Sequence, residues 1–164
     1  MRPLASLAFA LALAFVFALA PIARAAESGA VILTIDGATG DGKAHTFTLA
    51  DLKKLPPAGF ATKTPWHDGP QRFDGVLMSD LMHAVGAKGT VLHVRALDDY
   101  KSDVPVADFG KFKPIMAYSQ NGQPMPVREK GPLFVIYPFD SDTALRNETY
   151  YTRSPWQVAA ITIE

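Results

Sequence analysis

Four basic side chains lie in or beside predicted loops and have the chemistry to bind an anion. They are Arg72, Arg128, Lys130 and Arg153. A guanidinium group can form two parallel hydrogen bonds to a phosphate, and a lysine ammonium adds a point charge. Separated basic residues in loops are also commonly only solvated, so the sequence leaves open whether any of the four contacts a ligand.

Aromatic residues form a second group of candidates, because flat rings with polar tips suit the binding of a flat ligand. The group comprises Trp66, Tyr100, Tyr150, Tyr151 and Trp156. The alternative is that these rings cover the core of a β-sheet. His67 follows Trp66 in a loop rich in Pro and Gly at residues 65–70, and this context makes it a candidate ligand-binding residue.

Asp99 and Tyr100 are the candidate catalytic residues. They follow a predicted strand at residues 90–97, and a carboxylate at the end of a strand can act as an acid, a base or a hydrogen-bond acceptor. An aspartate that caps a turn is the other interpretation of Asp99. The sequence has no nucleophile-elbow pattern, so nothing in it predicts a hydrolase.

The 164 residues include no cysteine. This removes disulfides, thiolate catalysis, iron–sulfur clusters and cysteine-based metal sites from the functions to be considered. The four histidines are His45, His67, His83 and His93. They have neither HExxH spacing nor paired helical i, i+4 positions, so the sequence predicts no metal site.

The first 25 residues have the pattern of a signal peptide. Arg2 gives a positive start, residues 4–20 are apolar, and residues 23–25 read Ala-Arg-Ala, a small-x-small cleavage site. An uncleaved anchor is the competing interpretation, because about 17 apolar residues approach the length of a membrane span. We expect cleavage, a single mature domain at residues 26–164 and a periplasmic location.

The charge balance argues against nucleic acid as a partner. The chain has 16 basic and 16 acidic residues, and loss of Arg2 and Arg24 would leave 14 basic residues and a formal charge of −2. No run of basic residues resembles a nucleic-acid-binding surface. The expected partners are a small anionic or aromatic ligand, or a periplasmic or membrane-bound protein.

Strands are the main elements expected to position these residues. Asn121-Gly122 predicts a hairpin turn, because both central residues of a type I′ turn have positive φ. A polar loop braced by prolines then carries Arg128 and Lys130 into an apolar strand at residues 133–137. Short helices are predicted at residues 49–55, from Ser79 or the residue before it, at residues 105–109 and within residues 140–147. With a terminal strand in residues 156–163, the fold class is α+β.

Four blocks of sequence, in order, carry a resemblance to a known family. They are GPQRFDGVLMSDLMHAVGA at residues 69–87, LDDYKSDVPVADF at 97–109, MAYSQNGQPMPVREKGPLFVIYP at 116–138 and WQVAAITIE at 156–164. The chain resembles the molybdopterin-binding oxidoreductase domain of the sulfite oxidase type, in its short exported form. The resemblance implies a β-rich mixed fold with short helices and long loops that holds a pterin dithiolene.

The same resemblance raises a question about the metal. Catalytic members supply a cysteine thiolate to molybdenum from the loop before the first block, which here reads Thr-Lys-Thr-Pro-Trp-His at residues 62–67. A hydroxyl or imidazole is a different ligand from a thiolate and would change both metal affinity and redox potential. The resemblance implies molybdopterin as the cofactor, whereas the missing cysteine argues against ligated molybdenum.

Two functions from different classes follow. The first is an exported oxidoreductase that binds the pterin without a thiolate ligand, with Thr64 or His67 near the metal and Arg72, Arg128 and Arg153 on the phosphate. The second is a binding domain that keeps the fold without the redox centre and takes a small anionic or aromatic ligand or a partner protein.

Overall fold

The computed structural model describes residues 29–164, and the expected signal peptide lies outside this range. Ten strands dominate the described part of the chain. Their bounds are β1 Val31–Gly37, β2 His45–Thr48, β3 Pro57–Lys63, β4 Pro70–Leu77, β5 Val91–Ala96, β6 Lys101–Pro105, β7 Ile115–Gln120, β8 Gln123–Pro124, β9 Phe134–Ile136 and β10 Val158–Ile163.

The first sheet has the strand order β2-β1-β10-β5-β6. β10 runs parallel to β1 and antiparallel to β5, so the last strand of the chain lies in the middle of this sheet. Successive strand residues face opposite sides of a sheet, and Leu92, Val94 and Ala96 of β5 are accordingly buried together. The terminal strand predicted from weak alternation is therefore a central element.

The second sheet has the order β3-β4-β7-β8, and β9 also pairs with β7. The predicted Asn-Gly turn joins β7 to β8, with φ of 50° at Asn121 and 76° at Gly122. Gly75 allows β4 and β7 to approach, because a Cβ at this position would meet the backbone of Met116. β4 and β7 are therefore closely paired strands in the middle of the second sheet.

The helices are short and lie at strand ends. They are α1 Leu49–Leu52, α2 Met78–Ala84, α3 Ala107–Phe112 and α4 Glu148–Thr152, with a 3-10 turn at Thr143–Leu145. Thr48 and Asp51 form a capping box that starts α1, since the Thr48 hydroxyl accepts from the Asp51 N–H and the Asp51 carboxylate accepts from the Thr48 N–H.

Two helix predictions need correction. The helix expected over residues 49–55 ends at Leu52 and continues only as a turn before Pro57 opens β3. The helical turn expected at residues 105–109 begins at Ala107, because Pro105 is the last residue of β6 and pairs with Val91. The sequence patterns did not predict α4, which carries residues of the candidate site.

The core has a large and a small part. The smaller one lies on the second sheet and contains Phe73, Ile115, Ala117, Met125, Phe134 and Ile136. Trp66 packs against both parts and links them. No helix within residues 29–164 is long and apolar enough to cross a membrane. The mixed, strand-rich architecture with short helices confirms the predicted α+β class.

Candidate functional site

Trp66 lies in the loop between β3 and β4, at the centre of a group of aromatic rings. Its ring centroid is 5.7 Å from that of Phe134, 6.1 Å from Phe139, 5.9 Å from Tyr151 and 5.6 Å from Trp156. Most of these pairs are edge-to-face, the geometry that aromatic rings prefer at such separations. The contacts fix the indole at the point where the β3–β4 loop, α4 and the chain entering β10 meet.

A cleft of about 210 Å³ opens beside this ring group. The loop supplies Trp66, the β5–β6 hairpin supplies Asp98 and Tyr100, and α4 supplies Glu148 and Tyr151. The remaining lining residues are Ala96, Thr152, Ser154, Pro155 and Trp156. We call this feature the ring-lined cleft. Three separate stretches of the chain therefore build one concave surface.

The walls of the ring-lined cleft are tied together by hydrogen bonds. The Ser102 hydroxyl on β6 donates to the Thr152 carbonyl oxygen over 2.6 Å, which joins the hairpin to α4. The buried Ser154 hydroxyl donates to the Tyr150 carbonyl oxygen over 2.9 Å and closes the end of α4. Because these hydrogen bonds lie within the protein, the fold itself forms the cleft.

The hydroxyls of the β3–β4 loop are occupied within the protein. Thr62 is fully buried, and its Oγ1 accepts from the Asp140 backbone N–H at 3.0 Å. Thr64 Oγ1 lies 2.7 Å from His67 Nδ1 and also accepts from the Trp66 N–H at 3.3 Å. Both threonines therefore shape the loop that presents Trp66.

His67 is a half-buried residue of the same loop and packs edge-on against Phe73. Burial, and after it the positive charge of Lys130, lowers the pKa of His67 below its ordinary value. Removing a group from water disfavours its charged form, and a nearby cation has the same effect on an imidazole. Both effects therefore favour the neutral form of the His67 imidazole.

The basic residues expected to grip a phosphate are dispersed. Arg72 pairs with Asp74, through Nε at 2.8 Å and Nη2 at 2.7 Å from Oδ1. Arg153 Nη1 lies 3.0 Å from Oδ2 of the largely buried Asp108, to which the buried Tyr137 hydroxyl also donates. Neither guanidinium lines the ring-lined cleft.

The loop between β8 and β9 holds the other two basic candidates. Arg128 is 84% exposed, and its Nε is 3.7 Å from a carboxylate oxygen of Glu129. Lys130 Nζ lies 4.8 Å from the ring centroid of Trp156, in a cation–π contact. Of the four basic candidates, Lys130 thus contacts a ring of the cleft, although it is not among the lining residues.

The two candidate catalytic residues have different positions. Asp99 occupies a left-handed turn position with φ of 65°, and its carboxylate lies 3.3 Å from Arg95. Tyr100 lines the cleft and remains 47% exposed. Tyr150 packs on Phe112 and Tyr137, away from the cleft. Trp66, Tyr100, Tyr151 and Trp156 are the predicted ring residues that the cleft brings together.

Sequence reasoning missed Asp98 and Glu148 as site residues. The first was only one of two adjacent aspartates at a strand end, and the second opens a helix that no periodic pattern predicted. Asn147 caps that helix by accepting from the Thr149 N–H at 2.9 Å. The Asn-Glu pair at residues 147–148 was therefore the available signal for a helix start.

A second cleft of about 270 Å³ lies on the other side of Tyr151. Its lining residues are Lys63, Thr64, Pro65, Phe139, Asp140, Arg146 and Tyr151. Arg146 donates to the Phe139 carbonyl oxygen at 3.0 Å and lies 3.1 Å from Asp140 Oδ1. We call it the basic cleft, since Lys63 and Arg146 are its distinguishing side chains.

The fold is shared with a solved protein. The structure is similar to the sulfane dehydrogenase SoxCD from Paracoccus pantotrophus, with a TM-score of 0.61, 19% sequence identity and coverage of 80% of this chain. The chain spans 37% of the length of that neighbour. The sheets and their connections are therefore those of a sulfite oxidase-family fold, as the sequence predicts.

A family model that matches the sequence identifies the family of this chain. The model of the oxidoreductase molybdopterin binding domain covers residues 21–140, most of the chain. The protein belongs to this family, which confirms the resemblance carried by the four sequence blocks. A search of curated proteins gave no match.

The donors present do not fit a thiolate-ligated molybdenum centre. The chain has no cysteine, and the hydroxyls of Thr62 and Thr64 already take part in hydrogen bonds within the loop. Within residues 29–164, no group of three or more His, Asp or Glu side chains is arranged to hold a metal. The loop at residues 62–67 therefore offers no thiolate to a metal.

Proposed function

We propose that this domain is an exported binding domain of the molybdopterin-binding oxidoreductase family that takes a small ligand in the ring-lined cleft. The observation that carries the proposal is the cleft itself, in which two indoles and two phenols surround a space of about 210 Å³. Small-molecule sites are concave, largely apolar and preformed, with a few polar groups that orient the ligand.

The lack of a metal ligand supports binding rather than redox chemistry. The residues at the loop that carries the family's thiolate serve the fold, since Thr62 holds Asp140 and Thr64 holds His67. A domain that keeps the fold can take on another function through its site, because fold alone does not fix chemistry. Under this proposal, the domain binds a small ligand and catalyses no reaction at molybdenum.

Metal and pterin analysis tests this proposal. The chain would be matured in a bacterial host that makes the cofactor, alongside a cysteine-containing family member that shows the host is competent. The proposal expects neither molybdenum nor fluorescent oxidised pterin in stoichiometric amount. One molybdenum and one pterin per chain would overturn it.

A second candidate is a molybdopterin-dependent oxidoreductase without thiolate ligation. The family match and the basic cleft favour it, because Lys63 and Arg146 are cations suited to a phosphate and lie beside Thr64. In that case Lys63→Met would lower the amount of pterin that co-purifies. Lys113→Met, which removes a charge on another surface, would leave it unchanged.

Export remains part of the proposal. It rests on the n-region, apolar stretch and cleavage pattern in residues 1–25. Sequencing the amino terminus of the protein recovered from a periplasmic fraction is the test, and a start near Ala26 is the expected result. A partner protein in the same compartment stays a prediction from the sequence.

A further inference from the structure

The charge of the ring-lined cleft has one sign. Asp98 and Glu148 lie on its walls, and its ten lining residues include no lysine, arginine or histidine. The sequence alone leads to the expectation of a small anionic or aromatic ligand, and the anionic alternative rests on the basic residues. Two carboxylates on the cleft instead repel an anion and attract a cation.

These two carboxylates differ from the acidic groups that arginines neutralise. Asp74, Asp108 and Asp140 each form an ion pair with an arginine. By contrast, Asp98 accepts only from the Tyr100 backbone N–H, at 3.1 Å, and Glu148 makes no side-chain hydrogen bond or ion pair with any residue from 29 to 164. Neither carboxylate therefore has an ion-pair partner within the described part of the chain, although the Lys130 ammonium contacts the Trp156 ring of the cleft.

The aromatic rings of the cleft also favour a cation. The face of an indole or phenol attracts a cation, and several rings around one space are typical of sites for alkylated ammonium groups. Trp156 already accepts such a contact, since Lys130 Nζ lies 4.8 Å from its ring centroid. The lining residues thus combine two attractions that act on a cation and include no cationic side chain, whereas Lys130 lies outside the lining and contacts the Trp156 ring.

We infer that the ring-lined cleft binds a small organic cation carrying an alkylated ammonium group. The inference deepens the proposed function and rests on it, because it names the ligand class of the same cleft. The size agrees, since about 210 Å³ falls below the range of roughly 300–1,000 Å³ that is usual for drug-sized ligands. The ammonium head lies among the rings, with Asp98 and Glu148 near its positive charge.

Choline and its neutral carbon analogue 3,3-dimethylbutan-1-ol form the test pair, with 3,3-dimethylbutanoate as the anionic member of the same shape. The chain has two tryptophans, Trp66 and Trp156, and both line the cleft. Their two indole N–H resonances therefore report binding directly in an NMR titration of the purified protein. The inference expects saturable shifts of both resonances with choline, and much weaker shifts with the neutral and anionic analogues.

Charge-removing variants locate the interaction. Asp98→Asn and Glu148→Gln keep the shape of the side chains and are each expected to weaken choline binding about fivefold, since an exposed ion pair contributes about 1 kcal/mol. Glu129→Gln removes the same charge outside the cleft and is the matched control, with unchanged affinity expected.

The exposed ring of Tyr100 gives a second type of variant. Tyr100→Leu removes a cation–π surface and is expected to weaken choline binding about three- to tenfold, whereas Tyr100→Phe keeps the ring and should lose less. Tyr100 is 47% exposed, so these variants leave the packed ring group intact. Equal losses in the two variants would contradict a role for the ring.

The outcomes separate this inference from the proposed function. Equal binding of choline and its neutral analogue, or preference for the anion, would overturn the cation inference and leave a ligand-binding cleft. A titration in which no probe shifts either indole would overturn the inference as well. Stoichiometric molybdenum and pterin would overturn the proposed function, whatever the titration gives.

Discussion

Lys130 connects the two parts of the candidate site at the level of single residues. Its ammonium lies on the Trp156 ring, and its charge reaches His67. Trp66 and Trp156 border the cleft, whereas His67 lies in the loop that presents Trp66 and contacts Thr64. One flexible side chain therefore influences both an imidazole and a ring of the proposed ligand site.

The variant Lys130→Met tests that connection. It keeps an unbranched apolar stem, removes the charge and is expected to raise the pKa of His67 towards its ordinary value. The pKa should stay below 6.5, because burial is the larger cause of the shift and remains in the variant. An NMR titration of the His67 ring is the measurement, with Lys113→Met as the control. An unchanged His67 titration would contradict the contribution of Lys130.

The same substitution bears on the ligand. Lys130 competes for a face of Trp156 and carries the same sign of charge as the proposed cation. We expect Lys130→Met to bind choline about two- to fivefold more tightly than the parent protein, since exposed cation–π contacts contribute about 0.5–1 kcal/mol. Weaker binding in the indole titration would contradict the account of a cation-binding cleft.

Arg153 acts mainly as a partner of a buried carboxylate. Arg153→Met would leave Asp108, which is 8% exposed, with only the Tyr137 hydroxyl. Breaking a buried pair from one side is costly, so we expect a loss of about 2–3 kcal/mol in the free energy of unfolding. Urea unfolding is the measurement. Arg72→Met is the matched control, because its pair with Asp74 is exposed and contributes about 0–1 kcal/mol.

Residue types and local spacing explain which parts of the site the sequence could predict. The rings Trp66 and Tyr100 were recognisable from their loop context, and both line the cleft. Arg72 and Asp74 are two residues apart in a strand and so share a face, which made their pair predictable in principle. Arg153 and Asp108 are far apart in the chain, and only the tertiary fold brings them together.

At the level of elements, His93 joins three strands at the edge of the first sheet. The His93 ring on β5 lies 2.7 Å from Asp103 on β6 and 2.8 Å from Glu164, which follows β10. Hydrogen bonds to Asp103 first and to Glu164 second raise the pKa of His93 above its ordinary value of 6.5. The charged form of His93 is therefore the one that these contacts to β6 and to the end of β10 favour.

The pH dependence of stability follows from that shift. Because the pKa is higher in the folded state, the stabilising effect of His93 is complete below about pH 6.5 and is lost as the pH rises through the folded value. We expect the difference in melting temperature between the parent and His93→Gln to shrink as pH rises from 5 to about 9. A difference that grows with pH would contradict this assignment.

The secondary-structure elements also explain why the position of β10 and the presence of α4 were not predicted. Alternating apolar patterns predicted most of the strands. The weak alternation of β10 predicted a terminal strand, whereas the structure places β10 between β1 and β5. The parallel pairing of β1 and β10 joins the two ends of the described chain and has no local sequence signal. Helix α4 has only five residues, too few for a periodic pattern, and yet it forms one wall of the cleft.

For the whole molecule, the family was predictable because four blocks occur in the right order, and the family model and the shared fold confirm it. Membership of the family did not by itself determine the function. A missing cysteine could be read directly from the sequence, whereas the negative charge of the cleft arises from Asp98 and Glu148, which the fold brings together from separate elements. Charge in the folded cleft, and not charge along the chain, decides which ligand is favoured.

Native mass spectrometry of the protein produced in a bacterial host that makes molybdopterin tests the central claim most directly. The measurement weighs the folded chain together with whatever it holds. Our account predicts the mass of the polypeptide alone or with a small organic cation, and a smaller fraction of cation-bound molecules in Glu148→Gln. A mass increment equal to a molybdenum-containing pterin, present in most of the molecules, would contradict it.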